Sequence, residues 1–125
     1  MRILLVMAGG ALGSAARYLT ALLVAQRFGY TFPWGTLTVN VVGSFLIGLI
    51  AVLADEAGSI GPNGRIFLVV GVLGGFTTFS SFSLETLRLA QDDQLLRAVL
   101  NVGASLFLTL CAALVGIGAG RALAH

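Results

Sequence analysis

The residues of this 125-residue chain that could do chemistry are few and of one kind. The single histidine is the last residue, His125, and the single cysteine, Cys111, lies in an apolar run. An imidazole-based triad, a disulfide and a thiolate metal cluster all lack their parts. What remains is concentrated in GGFTTFSSFSLET at 74–86, where six of the last ten residues carry hydroxyls. Phe76, Phe79 and Phe82 recur at every third position, and Glu85 stands one residue from the end of the stretch. Hydroxyls and carbonyls coordinate ions, and an aromatic ring presents a negative face and a positive edge. The chemistry on offer is therefore ion recognition: carbonyl oxygens for a hard cation, hydroxyls and phenyl edges for a small anion.

These groups are embedded in a chain that is 58% hydrophobic and 10% charged, with mean hydropathy +1.01. Soluble domains carry about 25% charged residues. The seven basic residues are all arginine, and a scattered net charge of +2 offers no nucleic-acid surface. A helix needs about 20 mostly apolar residues to cross a bilayer, and four segments meet this, at about 3–25, 35–54, 65–90 and 95–119. The apolar start resembles a secretory signal, but three further spans follow, so it reads as a retained membrane helix. The connections FGYTFPW (28–34), DEAGSIGPNG (55–64) and QDDQ (91–94) carry turn residues and interfacial aromatics. The expectation is an all-α membrane protein: one four-helix transmembrane domain over 1–125, with a break in the third helix.

Orientation follows the arginines of the short loops. Arg2, Arg65 and Arg121 fall on the side of the termini; Arg27, Arg88 and Arg97 fall on the other. A tie leaves two readings. Either one marginal signal decides, or copies insert both ways and pair antiparallel about an axis in the membrane plane. Gly9/Gly13, Ser44/Gly48, Gly71/Gly75 and Gly116/Gly120 have the small-xxx-small spacing of close helix contacts. Four helices of this size enclose little volume, so an oligomer is expected.

Polar residues inside the membrane are costly and need partners. Arg17 either snorkels to an interface or lines a water-filled vestibule. Asn40 shares a helical face with Thr36, Gly43 and Ser44, and either bonds a neighbouring helix or donates into a path. Asn101 and Ser105 form an i, i+4 polar pair for which interhelical bonding is the stronger reading. In the third span, Gly74 and Gly75 lower helix propensity by about 1 kcal/mol each, and the hydroxyl run after them competes for backbone bonds. Irregular backbone at membrane depth survives only where protein or a cavity covers it, and such breaks mark ion sites. Beyond it Thr78, Ser81 and Glu85 share one face, Phe79 and Phe82 the next. Glu85, near the span's end, is expected to be exposed.

GGFTTFSSFSLET resembles the third-helix signature of the CrcB/Fluc fluoride channels. GTLTVNVVGSF (35–45) resembles the family's second-helix motif and GGALGSAARY (9–18) its first. The resemblance covers the whole chain and implies a dual-topology homodimer in the cell membrane with two antiparallel fluoride pores. It implies ring-edge contacts to fluoride from Phe79 and Phe82, and polar contacts from Asn40, Ser80 and Ser81. It implies a structural Na⁺ at the dimer centre, held by the main-chain carbonyls of Gly74 and Thr77 of both copies. Arg17 would sit near a vestibule and Glu85 near a mouth. Asn101 stands where some relatives have a pore-lining tyrosine, with Ser105 one turn on. Ser80-Ser81 replaces the usual Ser-Thr, losing one methyl. A rival is a four-helix multidrug exporter of dual topology. That chemistry needs a carboxylate at membrane depth, and the first span holds Arg17 instead.

Overall fold

The computed structural model describes residues 1–124, and all of its regular structure is helical. The first span is α1 (Arg2–Phe28). The second is α2 (Trp34–Ala51), prolonged by a π-helical turn at Val52–Glu56. The third, Pro62–Gln91, is composite. It runs through α3 (Pro62–Arg65), a π-helical stretch (Ile66–Leu73), α4 (Gly74–Phe76) and α5 (Phe79–Gln91). The fourth is α6 (Leu95–Leu123). All four are long and apolar enough to cross a membrane. Each extends up to four residues beyond the stretch that hydropathy alone marks, because helical hydrogen bonding continues into the polar ends.

Sequence punctuates these elements as expected. Pro62 opens α3 at its first turn, where its missing N–H costs no hydrogen bond and its fixed φ suits the helix. The connection after α1 turns on Gly29 at φ +88°, a conformation a side chain disfavours. There Phe28, Phe32 and Trp34 cluster with ring centroids 6.2 and 4.8 Å from the shared Trp34, an arrangement suited to the membrane–water boundary.

The bundle is held by two seams. α2 lies along α6, and α1 lies along the π-helical stretch and α4. Glycine sets both distances. A β-carbon on Gly116 would collide with the Phe45 carbonyl, and one on Gly9 would lie 2.6 Å from the Phe67 oxygen. All four small-residue spacings in the sequence place at least one glycine on these seams. In lipid, where apolar surface gains nothing by leaving one hydrocarbon for another, such close van der Waals contact is the main cohesive term. Val39 of α2 is fully buried between the seams, whereas Leu4, Leu12, Leu19, Leu23, Leu110 and Leu114 point outward, as lipid-facing side chains do.

Two ion pairs tie one end of the bundle together. Arg65 meets Asp55 at 3.0 Å and Arg121 meets Glu56 at 3.2 Å. They join the end of the second span to the start of the third and the end of the fourth. All four side chains are about half exposed, so each pair adds at most about 1 kcal/mol. The chain path leaves Arg27, Arg88 and Arg97 at the opposite end.

Gly118 faces open space, where an added side chain would strike nothing. Gly116→Val should cost about 1–3 kcal/mol through overpacking, lowering the melting temperature of the detergent-solubilised protein by several degrees. Gly118→Val should leave it nearly unchanged. Equal melting temperatures would show that the α2–α6 seam is looser than described.

Candidate functional site

Thr77 (φ −90°, ψ 157°) and Thr78 (φ −151°, ψ 117°) are extended, between the last residue of α4 and the first of α5. The Thr77 N–H still donates to the Leu73 carbonyl at 3.0 Å, but Thr78 makes no backbone bond, and each unmet polar group in hydrocarbon costs several kcal/mol. The partner comes from α2. The Asn40 side chain accepts from the Thr78 N–H at 2.8 Å and donates to the Thr78 carbonyl at 3.0 Å. One amide thus replaces both backbone bonds of one residue. The second N–H of its NH₂ group remains for another acceptor.

The side chains of the two threonines serve the same geometry. Thr78 Oγ1 accepts from the Ser81 N–H at 3.1 Å, capping α5. It also lies 3.1 Å from Ser80 Oγ. Thr77 donates its hydroxyl back to the Leu73 carbonyl at 3.0 Å. Its methyl lies against Gly43, where a β-carbon would strike it.

These bonds redirect N–H groups that a continuous helix would use. The Thr78 N–H goes to Asn40 rather than to the Gly74 carbonyl, and the Ser81 N–H goes to Thr78 Oγ1 rather than to the Thr77 carbonyl. Gly74 and Thr77 both border an open groove of about 380 Å³. Asn40 and Ser44 of α2, Thr78, Phe79 and Phe82 of the third span, and Ser105 and Thr109 of α6 complete its working surface. The Phe79 and Phe82 rings are 5.3 Å apart and inclined at 47°. Phe79 is 78% exposed in the single chain.

The groove gathers Asn40, Phe79 and Phe82, with the backbone of Gly74 and Thr77. It does not gather every residue the sequence singles out. Ser80 and Ser81 follow Thr78 at the start of α5 but do not border the groove. Arg17 neither snorkels nor stands free: its Nε donates to the Gly75 carbonyl at 3.0 Å, joining α1 to α4. Glu85 is half-buried rather than exposed, and accepts from Thr36 Oγ1 at 2.5 Å. It borders a second hollow of about 280 Å³, rimmed by Tyr18, Tyr30 and Trp34. Asn101 is 1% exposed. It lies away from the groove and donates to Thr86 Oγ1 at 2.8 Å, whereas Ser105, its neighbour at 3.5 Å, reaches the groove.

Two participants escape a reading of single residues. Thr109 follows Asn101 and Ser105 at the same four-residue spacing, so the polar row on α6 is one turn longer than that pair. Gly43, in the sequence only a member of the Asn40 face, makes room for the Thr77 methyl. The signal for both is the face rather than the residue: Thr36, Asn40, Gly43 and Ser44 of α2 all meet the third span or the groove.

Comparison with known proteins fits this arrangement. Residues 4–117 match the family model described as "CrcB-like protein, Camphor Resistance (CrcB)". Among curated relatives, a "Fluoride-specific ion channel FluC" of Opitutus terrae is 57% identical over 110 residues, covering 86% of this chain and 83% of that protein. A protein of the same name from Thermus thermophilus is 53% identical over 122 residues, 98% of this chain and 97% of the relative. That of Rhizobium meliloti is 49% identical over 121 residues, 97% of each. The chain belongs to the CrcB family of membrane proteins.

Proposed function

We propose that this chain is a fluoride channel: two copies, inserted in opposite orientations in the cell membrane, conduct F⁻ passively out of the cytoplasm and relieve its toxicity. The observation that carries the reading is the groove. Phenyl rings, hydroxyls and an amide N–H converge there in a chain more than half identical to a named fluoride-specific channel. Fluoride is small and strongly hydrated. A path for it must replace water with donors, and must hold it weakly enough at successive points to let it go. Phe79 and Phe82 supply positive ring edges and Asn40 an N–H donor at the groove; Ser80 and Ser81, outside the groove of the single chain, would add O–H donors further along the path. Hydrogen fluoride enters a cell from acidic surroundings and ionises inside. A negative-inside potential then favours exit by about 2.3 kcal/mol per charge per 100 mV.

The dimer is part of the reading. Phe79 stands exposed in the single chain, and a second copy facing the groove would cover it. The arginines divide three and three between the two ends, so neither orientation is preferred. The interruption at Thr77–Thr78 is read as a helix break of the family's kind. The Gly74 and Thr77 carbonyls, whose customary N–H donors are engaged elsewhere, fit the demands of a hard cation. In both copies they would hold the structural Na⁺, which contributes charge balance and cohesion at the two-fold axis. Arg17 and Glu85 would tune the approaches through the bonds described above. An exporter of organic cations is disfavoured, since that chemistry needs a carboxylate at membrane depth, and Glu85, near the end of its span, is engaged with Thr36.

Reconstituted in liposomes, the protein should release F⁻ but not Cl⁻, followed with ion-selective electrodes; equal or absent release overturns the assignment. Phe82→Leu should reduce F⁻ efflux by about tenfold or more, a loss of about 1.4 kcal/mol, while the dimer persists on size-exclusion chromatography. A C-terminal tag in intact cells should be reached from both sides of the membrane. Labelling from one side alone would remove the dual-topology claim.

A further inference from the structure

The helix that carries Phe79 and Phe82 buries no residue fully. Its place in the protomer must therefore be set by something other than apolar packing. Two adjacent side chains make bonds to two different helices. Glu85 accepts from Thr36 of α2, and Thr86 accepts from Asn101 of α6. Successive residues of an α-helix point about 100° apart, so bonds from Glu85 and Thr86 fix not only where α5 lies but how it is turned about its own axis.

That turn is what aims the phenyl rings. Thr86 lies seven residues beyond Phe79 and four beyond Phe82, on the same face of α5. Thr86 also donates its own hydroxyl to the Phe82 carbonyl at 2.7 Å. Asn101 is 1% exposed and absent from the groove wall. Its amide donates to Thr86, and its oxygen faces the Ser105 hydroxyl at 3.5 Å. A side chain so enclosed does not meet a passing ion. Resting on the reading of the groove as a fluoride path, we infer that Asn101 is a positioning residue: through Thr86 it holds the rotation of α5 that points Phe79 and Phe82 into the path.

The test separates holding from lining. Asn101→Leu and Thr86→Val each remove the Asn101–Thr86 bond, the first also releasing the Ser105 hydroxyl and the second the Phe82 carbonyl, and Thr86→Ser keeps it. The complete chain is reconstituted and F⁻ efflux measured. Both Asn101→Leu and Thr86→Val should slow efflux about tenfold. The double variant should lose less than the sum of the two single losses, because the two changes share the Asn101–Thr86 contact. Thr86→Ser should stay within about twofold of the parent, since its hydroxyl is retained. A 4-fluorophenylalanine at position 82 supplies a second readout by ¹⁹F NMR: its line should move in Asn101→Leu and Thr86→Val alike, and hold still in Thr86→Ser.

If Asn101→Leu slows efflux while Thr86→Val does not, Asn101 touches the ion and the inference is overturned. Additive losses in the double variant, or an unmoved ¹⁹F line, overturn it equally. Should Asn101→Leu fail to assemble, Thr86→Val and Thr86→Ser decide the question between them. Should the parent itself pass no fluoride, the channel reading fails, and the ¹⁹F comparison still decides whether the clamp exists.

Discussion

A membrane offers no water to an unbonded peptide group, and this constraint governs the centre of the molecule. Thr77 and Thr78 leave the helix in the third span. The polar backbone thereby freed must be met from within the protein. Asn40 meets it, taking both the N–H and the C=O of Thr78. From that one exchange the rest follows. The Gly74 carbonyl loses its usual donor, α5 restarts under the cap of Thr78 Oγ1, and Phe79 begins a new helix at an angle its predecessor does not dictate. Gly43 and Arg17 complete the support, one by making room for Thr77 and one by bonding Gly75.

The architecture divides labour between two kinds of contact. Along the two seams, helices meet chiefly through glycines, backbone against backbone. Thr78 and α5 are instead held by hydrogen bonds from named side chains: Asn40 with the Thr78 backbone, Thr36 with Glu85, Asn101 with Thr86. The first kind gives a rigid frame whose cost of distortion is steric. The second gives orientation, since each bond has a direction and, at low dielectric, few alternatives. A short helix that buries nothing can thus be aimed accurately.

Much of this was legible in the sequence. The four spans follow from hydropathy, and the seams from the small-residue spacing. The polar face of α2 follows from Thr36, Asn40, Gly43 and Ser44 falling at helical intervals. The GGFTTFS run points to this region only coarsely: Gly74 and Gly75, the expected helix breakers, stay helical, and the extended residues are Thr77 and Thr78. What was not legible is which partner each polar group takes. Arg17 could be read as reaching lipid headgroups, and nothing in its neighbourhood along the chain names Gly75, 58 residues away. Glu85 lies near a helix end and so reads as solvent-exposed; only the approach of α2 brings Thr36 to it. Asn101 reads more readily as glue than as a lining residue, but its partner Thr86 is not legible, because periodicity gives a face and not the neighbour that face meets. Pairing is a property of tertiary geometry, and in a bundle of four helices a single face has more than one candidate partner.

The dependence of Thr78 on Asn40 also orders events in time. The two residues are 38 apart in the chain, and α2 is complete before the third span has been synthesised. When Thr77 and Thr78 reach the bilayer, the amide that will receive them is already at the correct depth on an adjacent helix. Reversed in sequence, the same contacts would leave an interrupted helix waiting in hydrocarbon for its partner to be made. The linear order of the spans is thus suited to insertion one helix at a time from the ribosome, with the irregular segment arriving only after its receptor is in place.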